Sequence, residues 1–266
     1  KTGFTYVFDR VSGEPVWPIE ERPVPPSDVP GERAHPTQPF PTKPAPFDRQ
    51  GISEDDLIDF TPEIAAAARE LAEEFVLGPI FTPPIVRGSN GKRSTFVVPG
   101  AGGGAGYPGA TVDPETGIIY IPSLTRPMGM SLIPPPDDTS EWPYLITLDR
   151  QVGPFGLPLL KPPYRRITAI DLNTGEHVWQ IPFGKGPANH PMLEHLDLPP
   201  LGTANSDVLH EGGVLITKTL LISYLAQKDE IDPEAHGSIL VAHDKMTGDL
   251  LGEVMVDQRL HGPPMS

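Results

Sequence analysis

Lys1 stands immediately before an aromatic strand phrase, Thr2-Gly-Phe-Thr-Tyr-Val-Phe-Asp9, which breaks into the turn Asp9-Arg-Val-Ser-Gly13 and resumes toward Val16-Trp17. An ammonium fixed at the head of a strand could stabilise negative charge developing on a bound carbonyl oxygen. A lysine set on the surface would do nothing of the kind. The glycines of Gly104-Ala-Gly106-Tyr-Pro-Gly109 have the spacing of a dinucleotide fingerprint. That chemistry needs a strand before the glycines and a helix after them, so that helix amides meet the pyrophosphate. Here Pro108 interrupts the motif and Asp113-Pro114 with a strand follows, which excludes the nucleotide reading. Gly88-Ser-Asn-Gly91-Lys92 lacks the spacing of a phosphate loop and reads as a solvated turn. His190 and His195 lie five apart, a spacing that suits zinc on neither a helix nor a strand face. The pairs Asp55-Asp56 and Glu73-Glu74 fall on predicted helix surfaces and read as solvated, and no Ser/His/Asp set can be placed from spacing alone.

The elements that must position Lys1 repeat along the chain. Thr168-Ala-Ile-Asp171-Leu-Asn-Thr-Gly175-Glu-His-Val-Trp179 restates the opening phrase, and Val241-Ala-His-Asp244-Lys-Met-Thr-Gly248-Asp-Leu-Leu251 restates it more loosely. A strand ending in Asp, a glycine four residues on and a second strand opening with Trp or Leu is one recurring hairpin. Recurrence of a β unit points to a propeller. Asp171 and Asp244 are 73 residues apart, longer than the roughly 40–50 residues of simpler blades. The spacing therefore predicts long loop excursions on one face. A lysine before the innermost strand of a blade would project into the central channel, where propellers hold ligands.

Between the repeats, residues 20–50 form a proline-rich stretch whose interleaved Phe40 and Phe47 predict a loop packed on the scaffold rather than a free polyproline ligand. Ser53-Glu-Asp-Asp56 and Thr61-Pro62-Glu63 are helix-start signals, and an amphipathic helix is predicted over 62–77, ending at Gly78. Phe81–Pro84, Thr95–Pro99, Ile118–Ile121, Arg165–Asp171, His177–Pro182, Gly213–Tyr224 and Ser238–Asp244 are predicted strands, and residues 127–164 a proline-punctuated excursion.

Composition sets outer bounds. The 266 residues include 36 prolines and 27 glycines, yet the stretches between them are apolar and patterned, as in a turn-dense β protein. A formal charge of −15 argues against a nucleic-acid partner, which needs clustered Lys and Arg. With no cysteine, thiolate metal sites and disulfides are excluded within the chain. No apolar run approaches the length of a membrane span. The chain opens inside a strand phrase, without an initiator Met, and is expected to be an internal fragment of a longer protein.

Taken together, Lys1–Arg10, Glu21-Arg-Pro-Val-Pro-Pro-Ser-Asp-Val-Pro30, Pro36-Thr-Gln-Pro-Phe-Pro41, Phe81-Thr-Pro-Pro84, Gly153-Pro-Phe-Gly-Leu-Pro158, Ile167–Trp179 and Leu215–Leu221 resemble the pyrroloquinoline quinone (PQQ)-dependent dehydrogenases, most closely the membrane-bound glucose dehydrogenase type. The resemblance implies an all-β fold, a partial eight-bladed β-propeller of about four blades. On it, residues 1–266 are the C-terminal half of the propeller domain, with a Pro-rich and helical insertion at 20–80. It implies oxidation of an aldose or alcohol with hydride transfer to PQQ, a calcium ion polarising the quinone carbonyl, and electrons passed on to a ubiquinone-type acceptor. It further implies a periplasmic, membrane-associated parent protein. In the family a Lys or Arg opening this strand donates to the quinone oxygen, which maps that role onto Lys1. Gly106 and Tyr107 map onto the cofactor-contacting loop. Relatives often carry Asn then Trp there, so the side-chain amide donor is absent from Gly106 while Tyr107 keeps an aromatic ring. The base, the calcium carboxylate and the other half of the propeller are expected upstream, so the isolated chain is expected to be inactive. The alternative is a non-catalytic propeller of the same repeat family, acting as a binding or assembly scaffold.

Overall fold

The computed structural model describes residues 2–106, 109–136, 140–149, 153–204, 213–228, 236–258 and 260. The chain divides into two compact units. One comprises Lys1–Thr42, Asp48–Gly104 and Thr125–Pro162; the other comprises Lys43–Phe47, Ala105–Leu124 and Pro163–Ser266.

In the first unit the opening phrase, expected as a strand, forms only the isolated bridge Phe8–Pro15, around a turn closed by Asp9 N–H to Glu14 O at 2.8 Å and Val16 N–H to Val7 O at 2.9 Å. The proline-rich stretch that follows is not simply a loop. Its ends, β1 (Ile19–Pro23) and β2 (Thr37–Pro41), pair antiparallel with Glu21 opposite Pro39. Prolines fit this ladder because a two-stranded sheet consists of edges, where a missing N–H can face solvent. Phe40 anchors it, its ring packing edge-on against Phe4 at 5.4 Å and Phe81 at 5.7 Å.

Helix α1 (Pro62–Ala72) starts as predicted, with Thr61 Oγ1 accepting the Ile64 N–H and proline in the first turn. It stops at Ala72 rather than 77. Phe75 and Val76 leave the helix as β3 (Phe75–Val76), which runs parallel to β5 (Ser94–Val97). Phe75 is buried there, its ring 5.3 Å from that of Phe96. Burial of an aromatic side chain, worth about 1.5–3 kcal/mol, outweighs the small helix propensity of the last turn. The predicted strand at Phe81–Pro84 is displaced to β4 (Ile85–Val86), because Phe81 takes a left-handed φ of 69° that a strand cannot include. The excursion of 127–164 is also more ordered than predicted. It supplies β8 (Met128–Ile133), the spine of this sheet, and β9 (Leu145–Asp149), its antiparallel neighbour. Strand β8 also pairs with β5 and β4, giving five strands. Asp149 fastens one margin of that sheet by accepting from Arg87, Arg93 and Ser94 at 3.0–3.2 Å.

The second unit holds two four-stranded antiparallel sheets. The first is ordered β11 (Glu176–Pro182), β10 (Arg165–Asp171), β7 (Ile118–Leu124), β6 (Thr111–Asp113). The second is a meander of β12 (Leu215–Ile216), β13 (Leu220–Lys228), β14 (His236–Asp244) and β15 (Leu250–Val256). Ile118, Tyr120, Ile167 and Ala169 of one sheet meet Leu221 and Val241 of the other in a shared core with Phe183 and Val214. Thr111 Oγ1 donates to Val214 O at 2.6 Å, holding the chain ahead of β12 to β6.

The recurring turn is the same object in four places. Asp9, Asp113, Asp171 and Asp244 each accept the N–H two residues on, at 3.0, 3.0, 2.8 and 2.8 Å. Each also accepts, through its own carbonyl, the N–H of the glycine four residues on. Gly13, Gly117, Gly175 and Gly248 have φ between 72° and 79°, the left-handed region that favours glycine. Asp113 adds a copy to the three recognised in the sequence. Trp179, which follows the third turn, packs on Gly248 of the fourth and donates its indole N–H to Lys245 O at 3.2 Å. One hairpin is thereby keyed into the next. The fold is all-β apart from α1 and short turns, a partial propeller whose two four-stranded sheets carry the expected repeat.

Candidate functional site

Of the three sequence-predicted site residues, Lys1 and Tyr107 lie outside the described residues. Gly106 is exposed at the end of the glycine-rich loop, its carbonyl accepting the Gly109 N–H at 3.2 Å. Within the first unit, Thr2–Gly3 and Gly100–Gly104 converge on a residue that sequence reasoning missed, Asp48.

Asp48 is 4% exposed. Its Oδ1 accepts the hydroxyl of the buried Thr125 at 2.6 Å and the Arg49 N–H at 2.8 Å. The backbone next to Lys1 is held beside it, for Gln50 Nε2 donates to Thr2 O at 2.7 Å. Gly3, at φ 79°, lies so near that a Cβ there would stand 3.0 Å from Asp48 Cβ and 2.9 Å from Gln50 Nε2. From the other direction comes the glycine-rich loop, in which Gly103 N–H bonds to Gly100 O at 2.8 Å and Gly100 N–H to Arg126 O at 3.2 Å. Gly104 closes on the Asp48 carboxylate, leaving no room for a side chain. Thr2–Gly3, the Asp48–Gly51 segment and the glycine-rich loop at Gly100–Gly104 are thus brought to one place.

Arg49 braces the segment. Its guanidinium pairs with Asp56 at 2.6 Å and donates to the carbonyls of Lys161 and Pro162 at 3.0 and 3.2 Å. Asp56 also accepts from Ser53 N–H and Oγ at 2.8 and 2.9 Å, so the predicted cap at Ser53 exists, heading only a three-residue turn. Arg49 and Gln50 line an open cleft of about 1100 Å³ with Phe75, Pro79 and Lys92. Asp48 had no local signature. Its partners are Thr125, 77 residues away, and two glycines from distant segments. The one available hint is a charged residue directly after Phe47 in a run of apolar residues and prolines.

Four copies of one Asp–Gly turn, with Trp179 of one hairpin keyed against Gly248 of another, fit the repeat of a partial β-propeller. The chain belongs to the PQQ-dependent glucose/ethanol/alcohol dehydrogenase β-propeller family, whose profile matches residues 1–266. It is 31% identical over 262 residues to the glycerol dehydrogenase large subunit of Gluconobacter thailandicus, an alignment covering 86% of this chain and 34% of that one. It is 26% identical over 250 residues to the quinate/shikimate dehydrogenase (quinone) of Acinetobacter baylyi, covering 86% and 30%. Over 210 residues it is 31% identical to the quinoprotein glucose dehydrogenase of Escherichia coli, covering 69% and 25%. The chain therefore spans between a quarter and about a third of these relatives.

The described residues fit PQQ at Gly106, whose exposed backbone a planar ring can approach without meeting a side chain, while Gly103 and Gly104 are buried and Gly104 packs on Asp48. They do not by themselves fit calcium, a hard cation that takes six to eight oxygen ligands. Among the described residues no three His, Asp or Glu side chains gather as a ligand set.

Proposed function

We propose that this chain forms part of a PQQ-dependent dehydrogenase oxidising an aldose or alcohol, and that Lys1 and the Gly100–Gly106 loop face the cofactor. What supports the reading is the convergence of Thr2–Gly3 and the glycine-rich loop on Asp48, together with a family match over residues 1–266. When bound, PQQ supplies a quinone carbonyl able to accept hydride. On this reading the Lys1 ammonium would donate to the quinone oxygen and would stabilise negative charge developing on it. Gly106 would offer the ring exposed backbone without a side chain, and the Gln50–Thr2 bond fixes the backbone next to the lysine. The catalytic base and the calcium ligands belong to other parts of the full-length protein. Electrons pass to a ubiquinone-type acceptor on the periplasmic side of a membrane. Among the described residues no helix is long and apolar enough to cross one.

The test is Lys1→Ala in the full-length protein, reconstituted with PQQ and calcium and assayed by dye-coupled oxidation of glucose, glycerol and quinate. Loss of a preorganised donor is expected to lower kcat about 10²–10³-fold, with Lys1→Arg retaining more activity than Lys1→Ala. Near-normal turnover by Lys1→Ala would reduce Lys1 to the first residue of a strand. The 266-residue chain alone is expected to show no turnover on any of the three donors.

A further inference from the structure

Phe81 holds a left-handed φ of 69°, a conformation that a bulky side chain adopts only where the surrounding structure imposes it. It is held from two sides. Just ahead of it, the turn Gly78–Ile80 is laced to Gln50–Ile52, with Ile52 N–H bonded to Gly78 O at 2.9 Å and Ile80 N–H to Gln50 O at 3.1 Å. The fit is so close that a Cβ on Gly51 would stand 2.5 Å from Gly78 O and Pro79 Cα. On the other side the Phe81 ring meets the ring of Phe40, which the β1–β2 ribbon brings there. Phe40 in turn meets Phe4. Two residues before Phe4 is Thr2, whose carbonyl accepts from Gln50 Nε2 at 2.7 Å. The contacts therefore close on themselves, from Gln50 through Ile80–Phe81, Phe40 and Phe4 back to Thr2 and Gln50. Phe40 is the member that the ribbon contributes.

We infer that Phe40 is a positioning residue for Lys1: wedged between Phe4 and Phe81, it makes the β1–β2 ribbon a brace for the backbone that carries the lysine. This rests on the reading that Lys1 faces PQQ. One hydrogen bond to Thr2 O fixes a distance and leaves a direction free. The residue next to it is Gly3, at φ 79°, the residue type with the widest backbone freedom. A segment tied only at Thr2 could pivot there. The Phe4–Phe40 contact lies on the far side of Gly3, and Tyr6 OH donates to Pro39 O at 2.8 Å, so the ribbon grips the segment at two further points.

The experiment uses the full-length protein saturated with PQQ and calcium. It compares Phe40→Ala, Phe40→Leu, Lys1→Ala and the double variants that combine each Phe40 change with Lys1→Ala, reading kcat and KM separately beside Tm. Phe40→Ala is expected to lower kcat by up to about 100-fold, the scale of a displacement near 1 Å, with the donor KM little changed. Phe40→Leu is expected to be intermediate, keeping apolar area without the edge-on rings. In the Lys1→Ala background the Phe40 changes are expected to add little, because the group they position is gone. A loss that arises from weakened packing alone would carry over undiminished. Losses that multiply fully therefore overturn the proposal, as does a raised KM at unchanged kcat, which would put the ribbon on the donor instead. Where Phe40→Ala fails to fold, the Phe40→Leu cycle decides by the same criterion. If Lys1→Ala is impaired while the Phe40 variants turn over normally, the positioning role fails and the functional reading stands. If Lys1→Ala turns over normally, that reading itself is lost.

Discussion

Lys245 donates through Nζ to Asp113 Oδ2 at 2.7 Å, with both side chains less than a tenth exposed. Asp113 opens the turn between β6 and β7, and Lys245 is the residue after Asp244 in the turn between β14 and β15. The turn acid of one sheet is thus neutralised by the turn of the next. The same Lys245 accepts the Trp179 indole N–H through its carbonyl, so one residue carries both the polar and the aromatic tie between the sheets. The hydrogen bond from Lys245 is the main reason the Asp113 carboxyl titrates at about 2, against the opposing effect of burial.

Removing one member of a buried pair leaves an uncompensated charge, which is more damaging than replacing both with apolar residues. Lys245→Met and Asp113→Leu are each expected to lower Tm, and Lys245→Met/Asp113→Leu to recover part of either loss. A double-mutant cycle on thermal unfolding checks this. Additive losses would mean that the pair has no coupling and the sheets are joined by their apolar faces alone.

The pH dependence follows from two groups in the same unit. Asp113 is depressed from an ordinary value near 3.9 to about 2. The unfolded chain therefore takes up its proton first as pH falls. This contribution is fully present above about pH 4 and is lost on descending toward pH 2. His243 is depressed by burial, with Glu253 opposing, so it is stabilising when neutral and its contribution falls away below about pH 6.5. Acid titration of Tm should show both stages, Asp113→Asn removing the lower and His243→Phe the upper. Unchanged acid profiles in these variants would assign acid loss to other carboxylates, including Asp9 and Asp171, which the N–H groups of Ser12 and Asn173 also hold low.

The hairpin repeat was legible because its determinants are local. An Asp side chain reaching its own N–H two residues on and a glycine at positive φ write themselves into five consecutive residues, and Asp113-Pro-Glu-Thr-Gly117 obeys the same rule. The start of α1 was legible through the Thr61 cap for the same reason. Its end was not, because the choice between a helical and an extended Phe75 depends on Ser94 and Phe96, which the local pattern does not contain. β1 and β2 were hidden by their prolines, and β8 and β9 by the prolines around them. At the candidate site the glycine-rich loop was visible as composition. Asp48 was not, since what makes it notable is the approach of Gly3, Gly104 and Thr125 from remote parts of the chain.

Gly248→Ala separates the two reasons a turn glycine is needed. Its φ of 79° strains any side chain, and a Cβ would also stand 3.0 Å from Trp179 Cδ2. Gly13 has nearly the same φ, 75°, with nothing within 4 Å. Left-handed backbone alone costs about 1–2 kcal/mol. Gly13→Ala is therefore expected to show that cost and Gly248→Ala to exceed it, with a weakened near-ultraviolet tryptophan signal as Trp179 shifts. Equal losses in denaturant unfolding would mean that Trp179 yields freely and the aromatic key contributes little.

Phe40 decides whether residues 20–41 remain docked. Its ring is half-buried between Phe4 and Phe81, with the Arg22 guanidinium 5.3 Å from the ring centroid. Edge-on aromatic pairs are each worth about 0.5–1.5 kcal/mol beyond the area they bury. The ladder is also tied at exposed positions by Tyr6 OH to Pro39 O at 2.8 Å and Thr37 Oγ1 to Glu21 at 2.6 Å. An isolated two-stranded ladder is marginal in water, so losing the ring should release it. Phe40→Ala is expected to open residues 20–41 to limited proteolysis while α1 and the five-stranded sheet stay protected, and Phe40→Leu to be intermediate because it keeps apolar area but no ring geometry. Mass mapping of early cleavage sites checks this. Cleavage spread evenly over the first unit would show that Phe40 supports the unit's core, and wild-type resistance would show that the ladder holds without it.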